Sequence, residues 1–248
     1  VENATAREGR RHLTLSGAYN VRDIGGYATV DGRTTRWRTL IRADSPHRLA
    51  PEAQRELLDL GLRTIIDLRR PAEIARFPNL LATAPGLRYL QVALDSQAPE
   101  EQATFPTLPE IYRAILDGAA AQLGQIVATL AAPEGLPGLV HCQVGKDRTG
   151  LVIALVLGAV GVPPETIVAD YALSEAQLAG EFAARFEQRL RADGIPWEPY
   201  RALLVSPPDF MHDVLAYLDA EHGGPIGYLR AAGVQERQIA TLRATLTE

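Results

Sequence analysis

The sequence predicts an α/β fold with a central, mostly parallel sheet flanked by helices and an additional helical region toward the C-terminal end. Two observations carry this. Before residue 163, short apolar stretches of strand length alternate with segments of helical periodicity, the pattern of strands joined by crossover helices. After residue 163, apolar residues recur only at helical spacing.

The elements follow in chain order. The first 45 residues read as irregular, with Asn20 to Tyr27 running into Gly25-Gly26 and with Asp31-Gly32 as a hairpin turn between short extended segments. Residues 51–60 form a helix that opens on Pro51 and stops at Gly61. Residues 62–68 (LRTIIDL) and 88–94 (RYLQVAL) are buried strands. Leu123, Ile126, Val127 and Leu130 share one helix face, and a Pro/Gly-rich turn then leads into a very short strand at 139–141. Residues 149–160 are a buried helix. Beyond them, Leu178, Phe182, Phe186 and Leu190 form one helical stripe and Met211, Val214, Leu215 and Leu218 another. Gly223-Gly224-Pro225 then separates off a final helical hairpin. No linker is long enough to divide two domains. The 248 residues read as one, with an N-terminal extension (1–45), an α/β core (46–162) and a helical region (163–248) that packs on the sheet as a lid.

Composition narrows the function. A net charge of −5 opposes binding to a phosphate backbone, so nucleic acid is not an expected partner, and it opposes attachment to anionic lipid by charge alone. A single cysteine makes no internal disulfide, and five scattered histidines show no metal-ligand spacing, so no metal or other cofactor is expected. The longest apolar run, 151–162, is too short to span a bilayer, and residues 1–15 lack the apolar stretch of a signal peptide. The cytoplasm is the expected compartment, with export without a visible signal as the alternative. The oligomeric state is not predicted.

Chemistry concentrates in one loop. Cys142 is the only cysteine and Lys146 the only lysine, and both fall within His141-Cys142-Gln143-Val144-Gly145-Lys146-Asp147-Arg148-Thr149-Gly150. The loop runs from a strand end into a helix N-terminus, where unpaired N–H groups and the helix dipole attract an anion. The same field, with Lys146 and Arg148, favours a nucleophilic thiolate at Cys142. Five residues separate Cys142 from Arg148, which lets the loop curl around the sulfur while the guanidinium grips two phosphate oxygens. Thr149 can donate its hydroxyl to the sulfur as it leaves. Phosphate is therefore expected on Gln143, Val144, Gly145, Lys146, Asp147, Arg148 and Thr149.

These residues resemble the signature of the protein tyrosine phosphatases. The form Gly145-Lys146-Asp147-Arg148-Thr149-Gly150 resembles a bacterial branch of that family, as do Asn20-Val21-Arg22-Asp23-Ile24-Gly25-Gly26, Ile66-Asp67-Leu68-Arg69 and Asp170-Tyr171-Ala172-Leu173-Ser174. The branch usually carries an apolar residue and then Ala after the cysteine, where this chain has Gln143 and Val144. The resemblance implies a tyrosine-phosphatase-like fold and metal-independent hydrolysis of phosphotyrosine, extending to phosphoserine and phosphothreonine. Cys142 would attack phosphorus, Arg148 would stabilise the transferring group, and Asp147 would be the general acid. Asp95 is the alternative acid and Asp117 a distant third. A phosphorylated protein is the expected substrate. The alternatives are a phosphoinositide, with Lys146 meeting a second ring phosphate, and a catalytically dead phospho-binding module.

Other residues have plainer roles. His141 is expected to hydrogen-bond the loop or the Cys142 backbone. Arg22 and Asp23 are expected to fix the N-terminal segment rather than touch substrate, and Asp67 and Arg69 invite the same reading. Phe182, Phe186, Trp197, Tyr200 and Phe210 are expected first as core and second as an apolar lid.

Overall fold

The computed structural model describes residues 11–95 and 107–248. Five strands form one sheet: β1 (Arg22–Asp23), β2 (Leu40–Ala43), β3 (Thr64–Asp67), β4 (Arg88–Gln91) and β5 (Gly138–His141). Their spatial order is β1-β2-β5-β3-β4, with β1 antiparallel to β2 and every other pair parallel. The α/β class and the mostly parallel sheet agree with the sequence reading. The irregular first 45 residues do not, because β1 and β2 lie among them and β2 pairs directly with the central strand β5.

Register places the site. Ala43 of β2 and Asp67 of β3 both pair with His141 at the end of β5. The chain that leaves β5 therefore emerges at the carboxyl edge of the sheet between two neighbouring strand ends, where open α/β sheets place their ligands.

Side chains alternate across the sheet. Ile41, Ile65 and Leu139 face one side, where they pack with Leu15, Leu49, Ala53 and Leu57 of the N-terminal segment and helix α1 (Pro51–Leu58). Leu40, Ile66 and Val140 face the other side and join the main core. That core is built around α5 (Asp147–Ala159), which is buried on nearly every face. Helices α3 (Leu108–Gly118), α4 (Ala120–Leu130), α6 (Pro164–Leu178), α9 (Pro208–His222), α10 (Pro225–Ala231) and α11 (Glu236–Leu246) supply the rest. A one-and-a-half-turn helix, α2 (Pro71–Arg76), follows β3 and was not anticipated. The stripe expected from Leu178 to Leu190 is divided at Gly180, whose φ of 65° ends α6 before α7 (Glu181–Ala192) begins. A single turn, α8 (Glu198–Arg201), precedes α9. Among the described residues no helix is long and apolar enough to cross a membrane.

Alternation also puts Arg42 on the α5 face of the sheet, fully buried. There Arg42 Nη1 donates to Asp170 Oδ2, and Arg22 Nε donates to Asp170 Oδ1 at 3.1 Å. Tyr27 adds a third donor to the same carboxylate at 2.9 Å. Arg22 also reaches the Asp170 carbonyl and the Ser174 hydroxyl. Arg22 therefore fixes the N-terminal segment as expected, but through Asp170 rather than Asp23. Asp23 instead accepts from the backbone N–H groups of Gly25 and Arg38.

Burial opposes charge on Asp170, but the two arginines outweigh it and hold the carboxyl below the usual carboxylate range. Burial and the proximity of Arg42 push Arg22 down to about 10. Removing one partner of such a cluster leaves buried charge uncompensated. Asp170→Asn is expected to cost about 3–5 kcal/mol of folding stability, measured by urea denaturation at pH 7. A loss below about 1 kcal/mol would mean that the arginines are compensated elsewhere.

Candidate active site

Residues 142–146 form the loop between β5 and α5. Gly145 is required there: its φ is 69°, and a Cβ would stand 2.5 Å from the Ala43 carbonyl oxygen. Gly150 N–H bonds back to the Lys146 carbonyl at 2.7 Å, so the N–H groups of Asp147, Arg148 and Thr149 lie ahead of the helical ladder and are free to meet an anion. Three contacts hold the loop from beneath. Arg42 donates to the Gly145 carbonyl at 2.9 Å, Asn20 Nδ2 donates to the Val144 carbonyl at 2.9 Å, and Ser45 N–H donates to the Gln143 carbonyl at 3.2 Å. Carbonyls turned down onto these donors leave the opposite face of the loop to its N–H groups.

Cys142 lies at the floor of the loop, 1% exposed. His141, also buried, donates from Nδ1 to the Cys142 carbonyl at 3.0 Å, as the sequence suggested. Its Nε2 lies 2.9 Å from Asn79 Nδ2 and 3.3 Å from Asp67. Asp67 also receives a fork from Arg69 and the Tyr89 hydroxyl, while Arg69 reaches the Ser45 hydroxyl at 2.7 Å. Asp67 and Arg69 thus act structurally, behind the loop. The Thr149 hydroxyl is buried and has no hydrogen-bond partner among the described residues, which leaves it available as a donor.

Arg148 is held by a residue that the sequence reading missed. Glu73 of α2 takes Nη1 at 2.7 Å and Nη2 at 2.8 Å, and the Leu68 carbonyl takes Nη1 at 3.3 Å. A guanidinium has five N–H donors in one plane. With its terminal edge on Glu73, the edge formed by Nε and the outer Nη2 hydrogen is left for two oxygens of a phosphate. Burial opposes charge on Arg148, but Glu73 and the Cys142 sulfur outweigh it and raise its pKa. Pro71 at the first helical position and the Glu73 carboxylate on the Arg70 N–H were the available signals for α2.

Asp147 stands at the loop rim, partly exposed. Tyr112 donates to its Oδ1 and shares a further hydrogen bond with Tyr171 at 2.8 Å. Lys146 Nζ is 3.2 Å from the same oxygen. Oδ2 has no protein partner among the described residues. Asp95 is half-exposed, with Arg70 at 3.8 Å, and Asp117 is engaged by Tyr217. Lys146 itself is placed differently from a phosphate-gripping lysine. Its side chain is fully buried, and Nζ donates to the carbonyls of Leu203 at 2.6 Å and Val205 at 2.8 Å. Phe182, Phe186 and Trp197 gather with Leu178, Leu204 and Tyr19 against Val144 of the loop, so these aromatics form a satellite core that also covers the rim. Tyr200 stacks edgewise on Phe186, whereas Phe210 packs against the main core. Among the described residues no His, Cys, Asp and Glu cluster could hold a metal ion.

Burial would raise Glu73, but Arg148 outweighs it and brings the carboxyl down to about 2 from an ordinary 4.5. A carboxyl lowered on folding stabilises the fold above its unfolded pKa and loses that contribution as pH falls toward the folded value. The stability gap between the native chain and Glu73→Gln is expected to reach up to about 3 kcal/mol above pH 5 and to narrow as pH falls from 4.5 toward 2. Urea denaturation over that range tests this, and a gap independent of pH would refute it.

Comparison with known proteins identifies the family. The model of the tyrosine phosphatase family matches residues 13–248. A tyrosine-protein phosphatase of Nostoc commune is 32% identical over 224 residues, covering 83% of this chain and 73% of the relative. The triple specificity protein phosphatase PtpB of Mycobacterium tuberculosis is 30% identical over 278 residues, covering 94% and 98%. Among solved structures, the crystal structure of P. aeruginosa TpbA is similar at 18% identity and a TM-score of 0.41, over 84% of this chain and 97% of that one. With a matched family model over nearly its whole length, the chain belongs to the tyrosine phosphatase family.

Proposed function

We propose that the chain hydrolyses phosphotyrosine, and more slowly phosphoserine and phosphothreonine, in proteins through a cysteinyl-phosphate intermediate. The observation that carries this reading is Arg148, anchored along one edge by Glu73 with its other edge free beside a loop that has Cys142 at its floor.

The phosphate enters the loop with its oxygens on the N–H groups of residues 143–149 and on the free edge of Arg148. The Cys142 sulfur attacks phosphorus as the bond to the phenolic oxygen breaks, and charge on the three equatorial oxygens is met by donors already in place. Asp147, protonated at Oδ2, gives its proton to the departing phenolate. Tyr112, whose own proton burial and Asp147 hold firmly, fixes the other oxygen and so the direction of that transfer. Water then attacks the cysteinyl-phosphate, Asp147 takes the proton back, and the S–P bond breaks with the Thr149 hydroxyl donating to the leaving sulfur. Inorganic phosphate and a thiolate result. The charge in both steps is met by protein groups, so none of them calls for a metal ion.

Phosphoinositides rank second. That reading relies on Lys146 meeting a second phosphate, and the ammonium is engaged by the Leu203 and Val205 carbonyls.

Phosphate release from a phosphotyrosine peptide is expected in the presence of a chelator and is expected to vanish in Cys142→Ser. Absence of release from the native chain would favour a phospho-binding module. Asp147→Asn is expected to lower kcat by roughly 10²–10⁴-fold. Near-normal turnover in Asp147→Asn beside collapse in Asp95→Asn would transfer the role to Asp95.

A further inference from the structure

The rim of the loop opens at Gln143 and Val144 into a recess of about 130 Å³, whose other walls are His47, Arg48, Phe182, Phe186, Arg185 and Arg189. Three of these eight residues are arginines, and none is acidic. Arg185 is paired with Glu181 of its own helix. No carboxylate within salt-bridge distance is found for Arg48 or Arg189 among the described residues. Arg189 rests over the rings of Phe77 and Phe186, and Arg48 lies beside Tyr19, so aromatic faces hold both guanidiniums in place.

The cost of gathering these cations shows in their neighbours. Burial, Arg76 and Arg48 all push Arg189 below its ordinary value. Burial and then Arg48 push His47 down to about 4, so it is neutral at pH 7. The Arg48 charge, the lesser of those two causes, is the one that also attracts an anion. Asp193 offsets part of this crowding at Arg189 and Glu181 does so at Arg185, but three guanidiniums about one recess still favour an incoming anion. At the threshold, the Gln143 side-chain oxygen is buried without a hydrogen-bond partner among the described residues, an acceptor suited to a donor located between an anion in the loop and one in the recess.

The recess has a continuation. Arg48 and Arg185 also line a larger groove of about 820 Å³, walled by Thr14 to Tyr19 on one side and by Gln177 and Glu181 on the other. A groove that leads away from the rim along a chain segment suits an extended ligand with a backbone N–H for Gln143 better than a single ring. The net charge of −5 also disfavours an anionic lipid surface.

We infer that Arg48, Arg185 and Arg189 form a second phosphate subsite, and that the preferred substrate is a doubly phosphorylated peptide with one phosphate in the Cys142 loop and the other in this recess. The inference rests on the phosphatase reading for the role of the first phosphate. Its test does not depend on turnover.

The test is binding of phosphotyrosine peptides to the Cys142→Ser protein, with a second phosphate absent or placed one to four residues away. At its best spacing the doubly phosphorylated peptide should bind at least roughly tenfold more tightly. Arg48→Gln with Arg189→Gln should bring that ratio close to one, whereas Arg55→Gln with Arg237→Gln, which removes equal charge elsewhere, should leave it unchanged. A ratio near one in the starting protein at every spacing would overturn the inference, as would a ratio that survives the double substitution. Tighter binding of a soluble inositol bisphosphate headgroup than of any peptide would also overturn it. Failure of the phosphatase reading would appear separately, as no phosphate release by the native chain from any monoester.

Discussion

The arrangement depends on one buried contact, the pairing of Asp170 with Arg22 and Arg42 beneath the loop. One carboxylate among two guanidiniums leaves a net positive charge in a fully buried place. That charge is directed at the loop, because Arg42 also donates to the Gly145 carbonyl. The contact does two things at once. It pins the loop so that its N–H groups face outward, and it places fixed positive potential behind the position of a thiolate and a phosphate. Preorganised charge of this kind needs no rearrangement when the reaction begins. The folding cost of burying it is offset by the hydrogen bond that Tyr27 donates to Asp170 and by those that Asn20 and Ser174 accept from Arg22.

Arg148 shows the same economy. A free arginine on a loop loses much rotamer freedom when it grips a ligand. Here Glu73 and the Leu68 carbonyl have already ordered it. Behind them, Asp67, Arg69, His141 and Asn79 form a second polar layer that ties β3 to β5 and the loop. The loop is therefore supported from two directions, by the Asp170 cluster under its helix side and by the Asp67 layer under its strand side.

Much of this was legible in the sequence because it is local. Strand β5, the loop and helix α5 occupy a continuous stretch whose apolar pattern, glycine positions and charged residues all agree. What was not legible is what depends on distant partners. Strand β2 carries Arg42 and is followed by Asp44, buried polar residues whose partners, Asp170 and the backbone of residues 19–20, lie elsewhere in the chain. Glu73 sits on a helix too short to show periodicity, 75 residues from the arginine it holds. Lys146 was read with its loop neighbours as a phosphate ligand. Its long stem instead carries the ammonium to carbonyls more than fifty residues on, where the helical region turns back toward the sheet.

That placement has a chemical consequence. Lys146 is the chain's only lysine, so its only side-chain amine is fully enclosed, with Nζ donating to two backbone oxygens and lying 3.2 Å from Asp147 Oδ1. Amine-directed reagents have no side chain to modify while the segment around residues 203–205 stays docked. An acyl group on Nζ would remove the charge and leave a single N–H for two carbonyls and the Asp147 carboxylate, so the modified chain could not re-form that contact in full. The susceptibility of one nitrogen to acylation is thus a direct chemical readout of whether the helical cover is seated on the loop.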